Sequence, residues 1–345
     1  MVSGPGHDGV SASGVWPSLP LDEWAETRDT LQLWAQIVGK IRLAHSPLLN
    51  HWWNVPLYVT ARGLTTSLMW TADQRGFQID FDFVAHQLNI VVSDGSQGMV
   101  ELEDRPVAEF YVEVMHKLDE VGIHREIWTM PVEIPGAIPF EDDYVHHTYN
   151  RDDVERFWRL LITTSHVFNE FRTTFVGKSS PVHLFWGALD LATTRFSGRS
   201  APPHTGGAPN CAPHVMLEAY SQEVSSAGYW PGGGTEGAFY SYAYPEPAEY
   251  RNAPVTPAQA YYDGDLGEFV LPYEVVRTSD DPHAVLLGFL QSTYEAAANE
   301  AGWDRATLER PPPSWTRDLV ALPGPLLRTL PRENEGDAEP GTERG

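Results

Sequence analysis

Two stretches of this chain, PLYVTARGLTTS at 56–67 and HLFWGALDLATT at 183–194, align without a gap at an offset of 127 residues. A repeat constrains a fold more than any local motif, because the second copy must be able to build what the first one builds. The same offset sets Leu31 on Trp158, Leu33 on Leu160, Trp34 on Leu161 and Ile41 on Phe168. The stretches ahead of the two copies are therefore alike as well. In the first, Trp24, Thr27, Leu31, Trp34, Val38 and Ile41 recur at three- and four-residue steps, the apolar stripe of an amphipathic helix, with Asp22 expected as its N-cap.

Strand signals follow each helix. GFQIDFDFVAH alternates strictly, with Phe77, Ile79, Phe81 and Phe83 on one side and Gln78, Asp80 and Asp82 on the other. Residues 81–88 set against 217–224, placing Asp82 on Glu218 and His86 on Gln222. A helix with Pro106 at its start and Gly122 at its end closes the first half, and one opening at Asp281–Pro282 closes the second. The pattern predicts an α+β fold of two similar halves made by internal duplication, each an antiparallel sheet flanked by helices and related by a pseudo-two-fold axis. The halves span 15–150 and 151–309, and segments near 197–214 and 229–265 belong to the second alone. Residues 1–14, rich in Gly and Ser, read as a disordered N-terminus, and 310–345 as a Pro-rich, acidic tail, largely disordered.

Composition bounds the partners. The chain has 345 residues and 42% hydrophobic content, with 12 Trp, 14 Tyr and 14 Phe to fill a core. Lys plus Arg is 23 against 47 Asp plus Glu, a net charge of −24 that repels phosphate backbones and anionic membranes, so nucleic acid and membrane are not expected as partners. No run of 18 apolar residues and no signal peptide is present, and Cys211 is the only cysteine, so a cytoplasmic location is expected.

The repeat also isolates candidate site residues. Where the first copy has Pro56, Val59 and Gly63, the second has His183, Trp186 and Asp190, so the second half has added polar and aromatic groups to a shared frame. Read as one strand, 180–199 puts His183 and Phe185 on one face and Trp186 and Asp190 on the other. These three line a pocket, or they are core residues. Asp80, Asp82 and His86 share a strand parity, as do Glu218, Tyr220 and Gln222. The two sets meet across the pseudo-dyad as acid, base or metal ligands, or they face solvent. His51 stands beside Trp52 and Trp53, and YWPGGGTEGAFYSYAYPEP (229–247) reads as an aromatic flap carrying Trp230. The candidate catalytic residues are His183, Asp190 and Glu223. The candidate ligand-binding residues are His51, Arg62, His86, Trp186, Arg195, Glu218, Tyr220 and Trp230, the two arginines suiting a carboxylate or phosphate ligand. No H-E-x-x-H, C-x-x-C, G-x-S-x-G or phosphate-loop motif occurs, so metal, cofactor and reaction stay open, as does the oligomeric state.

The stretch from Trp16 to Thr66, together with FDFVAHQLNIVVSDG, SPVHLFWGALDLATTRFSGR and EAYSQEVSSAGYWPGG, resembles a family of uncharacterised bacterial and fungal proteins, a domain of unknown function, over roughly residues 15–305. The resemblance implies no activity. Two functions fit the sequence: a small-molecule-binding protein or enzyme with a pocket at the junction of the halves, or a non-catalytic acidic scaffold that holds a basic partner.

Overall fold

A computed structural model describes residues 12–311. The expectations for residues 1–11 and for the tail beyond Pro311 lie outside it. In chain order the first half holds helices α1 (Ala12–Val15) and α2 (Leu21–His45), strands β1 (Tyr58–Thr60), β2 (Gly63–Thr65), β3 (Met69–Trp70), β4 (Gly76–Asp82), β5 (Gln87–Val92) and β6 (Gln97–Glu101), and helix α3 (Val107–Glu120). The second half holds α4 (Arg151–Arg172), β7 (His183–Phe185), β8 (Asp190–Ser200), α5 (Pro213–Ala219), β9 (Gln222–Trp230), β10 (Ala238–Tyr244), β11 (Tyr261–Asp263) and β12 (Glu268–Pro272), then α6 (Tyr273–Arg277), α7 (Pro282–Glu300) and α8 (Arg305–Leu308).

Local chemistry sets the helix ends. The Asn150 side chain accepts from the amides of Asp152 and Asp153 to open α4, and Asp281 accepts from Ala284 to open α7. Asp22 does not cap α2: Pro20 holds that place, and Asp22 sits in the first turn, where its charge meets the helix dipole. The α2 stripe read from the sequence is buried throughout.

Each half is an antiparallel sheet of six strands. The first runs β1-β2-β4-β5-β6, with β3 beside β4, and the second runs β7-β8-β9-β10-β12-β11. The fold is therefore α+β with two similar halves. In each, a long helix leads into a hairpin, a meander follows, and helices close the unit. The registers match at the repeat: Leu64 lies opposite Phe81, and Leu191, its equivalent at the 127-residue offset, lies opposite Tyr229. Tyr229, not Leu217, thus takes the place of Phe81. The alignment of 81–88 with 217–224 fails because α5 and the loop before it are inserted between β8 and β9. The flap reading of 229–247 is also overturned: Trp230 and Ala238 pair at the turn of the β9–β10 hairpin.

The sheets meet edge to edge. Leu57 donates to the Leu184 carbonyl at 2.9 Å and Leu184 donates to Leu57 at 2.8 Å. These residues are themselves 127 apart. A residue that bonds reciprocally to the one aligned with it is compatible with the expected pseudo-two-fold arrangement. One hydrophobic cluster runs through both halves, and the described residues through Arg310 form one compact unit. The boundary between the halves is topological and does not interrupt the packing.

Candidate functional site

Alternation along the second sheet divides its residues into two sets. Leu191, Thr193 and Arg195 of β8 point into the core, while Asp190, Ala192, Thr194 and Phe196 point to the opposite face. The neighbouring strands follow suit: Ser226, Tyr240, Tyr242, Glu268 and Val270 share that outer face, and Tyr229, Phe239 and Phe269 share the core face. The outer face bounds a cavity of about 900 Å³. The first half closes it with Lys40 of α2, with residues 51–53 and Val55, and with the irregular segment 126–133; the 208–216 stretch leading into α5 closes it from the second half.

The matching face of the first sheet has no such cover. Gln78, Asp80, Gln87, Asn89 and Glu101 lie half-buried on it and bond among themselves, Gln78 to Asp80 at 2.7 Å and Gln87 to Glu101 at 3.0 Å. Two similar antiparallel sheets thus carry different outer faces, one polar and open, the other aromatic and bordering the cavity.

Five acidic residues line the cavity, Glu126, Glu133, Asp190, Asp263 and Glu268. Tyr240 donates its hydroxyl to Asp190 Oδ2 at 2.5 Å. It reaches across β9 only at Gly228, which pairs with Tyr240 in the ladder; a Cβ there would stand 2.3 Å from the phenol oxygen. The Glu133 carboxylate lies over Gly187, where a Cβ would be 2.1 Å from Oε1. Glu133 is exposed, and it lines the cavity. Burial pushes the acid Asp190 up to about 6, against the pull of the Tyr240 bond. Burial, and then the charge of Asp190, pushes Glu133 and Glu268 up to about 7. Tyr220 closes the group; its hydroxyl donates to Tyr242 at 3.0 Å.

Lysine 40, buried on α2, is drawn down to about 8 by desolvation. Its ammonium is turned to the backbone of the 126–133 segment, donating to the carbonyls of Trp128 at 2.9 Å and Met130 at 2.5 Å. Gln36, one turn earlier, both donates to and accepts from the backbone of Val132 at 2.9 Å, as a neighbouring strand would.

The structure brings several sequence candidates to the cavity. His183 and Asp190 share a face, contrary to the single-strand reading: residues 186–189 form a turn, with Leu189 at φ 59°, so His183 pairs with Ala192 and Phe185 with Asp190. His183 is 1% exposed, and neither ring nitrogen has a partner among the described residues. Burial, then the charges of Arg172 and Arg42, hold it neutral by lowering its pKa to about 3. Trp186 is a wall. Its indole donates to the Val55 carbonyl at 2.9 Å and lies against Gly39, where a Cβ would approach to 2.2 Å. His51 closes one end; Lys178 donates to its Nε2 at 2.5 Å, and its Nδ1 bonds the Ala219 carbonyl at 3.1 Å, so Nδ1 carries the proton. Tyr220 and Trp230 also line the space.

The remaining candidates lie elsewhere. Arg195 points into the core because of strand parity; it donates to the Phe171 carbonyl and stacks on Phe171 and Tyr294. Arg62 pairs with Asp82 at 2.6 Å at the tip of the first sheet, where Asp82 also caps the turn at Val84 and Ala85. His86 bonds Tyr149 at 3.0 Å beside that turn. Glu223 accepts from Ser197 and Arg199, both at 2.8 Å, outside the cavity. Glu218 is on α5, not on a strand, and supports the site indirectly by accepting the His51 amide at 2.9 Å. The two polar sets therefore do not converge across the dyad, and neither candidate arginine lines the cavity. Glu133, Glu268, Tyr240 and Lys40 were not singled out from sequence. Among the described residues, no group of three His, Cys, Asp or Glu side chains is placed to hold a metal ion.

A protein-family model described as a family of unknown function (DUF5996) matches residues 16–310. The chain belongs to that family. No curated protein and no solved structure matches this DUF5996 chain. No helix among its described residues is long and apolar enough to cross a membrane.

Proposed function

We propose that this DUF5996 protein binds a small organic molecule in the cavity under its second sheet. The observation that carries the reading is the contrast between the outer faces of two like sheets. One is left polar and open, while the other borders a half-open cavity of about 900 Å³ with aromatic walls and a few convergent polar groups. That volume lies within the range of roughly 300–1,000 Å³ typical of ligand sites. His183, Trp186, Asp190, His51, Tyr220 and Trp230 are its ligand-contacting residues, joined by Glu133, Tyr240 and Glu268. A scaffold that worked through a flat acidic surface would have no use for such a cavity. A cytoplasmic setting, suited to a single free cysteine, belongs to the same reading.

Ala192 lies on the cavity face of β8, so Ala192→Trp fills the space without touching the core face. A thermal-shift screen of a small-molecule library is expected to find compounds that stabilise the wild type and leave Ala192→Trp unmoved. Equal shifts for both proteins would count against the cavity as the site.

A further inference from the structure

The polar groups of the cavity are unbalanced in charge. Asp190, Glu133 and Glu268 face it, with Glu126 and with Asp263 at the end of β11 also in its lining. Among the described residues none of these five takes part in an ion pair. The lining cation, Lys40, has its ammonium on two backbone carbonyls and over the Trp128 ring, 4.6 Å from its centre. An anionic ligand would add like charge to the carboxyl groups already lining the cavity, where Asp190 and Glu268 are half-buried and Glu133 is exposed. A cation would relieve their mutual repulsion, and Tyr240, Tyr242 and Trp230 supply π faces suited to it.

His183 gives a second and independent indication. A buried imidazole with both nitrogens unpartnered is costly unless something hydrogen-bonds it, and this one lines the same cavity. Its ladder partner Ala192 lies two residues from Asp190, which spaces the two polar points by about 7 Å along the strand.

We infer that the ligand is an organic amine, bound as its ammonium among Asp190, Glu133 and Glu268, with a second hydrogen-bonding group about 7 Å away that meets His183. This rests on the reading of the cavity as a ligand site. An ammonium offers N–H donors to the carboxylates, and the neutral imidazole offers one donor and one acceptor to the distal group.

Three probes share one ring and differ at these two points: tyramine, phenethylamine and 2-(4-hydroxyphenyl)ethanol. Isothermal titration at slightly alkaline pH is expected to show both amines binding and the alcohol weaker by about tenfold or more, as loss of a charged hydrogen bond implies. Tyramine is expected to bind more tightly than phenethylamine, and His183→Phe to abolish that difference. Asp190→Asn and Glu133→Gln, each checked for native circular dichroism, are expected to weaken the amines while leaving the alcohol unchanged. Alcohol and amines of equal affinity, or amines indifferent to both carboxyl variants, would overturn the amine and leave the cavity reading standing. No binding by any probe, in a protein that also shows no hit in the library screen, would overturn both.

Discussion

Asp190 is held by Tyr240, and Tyr240 reaches it only because residue 228 has no side chain. Gly228→Val should therefore displace the phenol. The expected result is a loss of about 1–3 kcal/mol in stability, the usual cost of overpacking, read by urea unfolding, together with weaker ligand binding. The carboxyl groups also make a prediction about pH. Asp190 is faced by Tyr240 of β10, Glu268 of β12, Glu133 of the 126–133 segment and Tyr220. Its folded pKa of about 6 lies above its ordinary value of 3.8. The unfolded chain thus gives up this proton first, and the contribution of Asp190 to stability falls as pH rises from about 4 to about 6, then stays low. His183 acts in the opposite sense: its lowered pKa makes stability rise with pH between about 3 and 6.5. The two trends overlap, so the informative quantity is the difference between wild type and Asp190→Asn. The variant is expected to gain on wild type as the medium moves from about pH 4 to about pH 8, and a constant difference would contradict the burial of this carboxyl.

At the scale of elements, the 126–133 segment of the cavity wall is held by side chains of α2 together with backbone bonds from Glu133 to Pro209 and from Phe140 to Thr129. Its backbone makes no ladder; Gln36 and Lys40 of α2 take the place of a neighbouring strand. Gln36→Leu should leave the Val132 amide and carbonyl unpaired, at a cost of about 1–3 kcal/mol, and speed exchange of the Val132 amide hydrogen. Unchanged exchange there would show that the segment is held by other means. Much of the element pattern was legible in the sequence, since the stripe of α2 and the alternation of β4 are local periodicities. The roles of Gln36 and Lys40 were not, because their partners lie some ninety residues away and have no periodicity of their own. Glu133 was hidden for a related reason: it sits at φ 62° in a stretch whose apolar alternation imitates a strand. The face of His183 relative to Asp190 was misread because a turn of four residues preserves apolar content while reversing the chain.

The whole molecule is organised by the contact of Leu57 with Leu184, from which two like sheets run outward. The alignment at the 127-residue offset set these two leucines against each other, and it also marked His183, Trp186 and Asp190 as departures, all three of which line the cavity. It could not show that α5 and the loop before it cover one sheet face, because an insertion changes the spacing on which an alignment by pattern depends. Charge at this scale agrees with the site. On the proposed reading, a chain of net charge −24 whose cavity is lined by carboxyl groups would favour a cationic guest over an anionic one. The most direct test of a ligand in that space is native mass spectrometry of the freshly purified full-length chain beside Ala192→Trp. The expected result is a wild-type mass above that of the polypeptide, falling to it on denaturation, with the filled variant at the polypeptide mass from the start. Wild type and variant both at their polypeptide masses, or carrying the same added mass, would contradict a ligand held in the cavity.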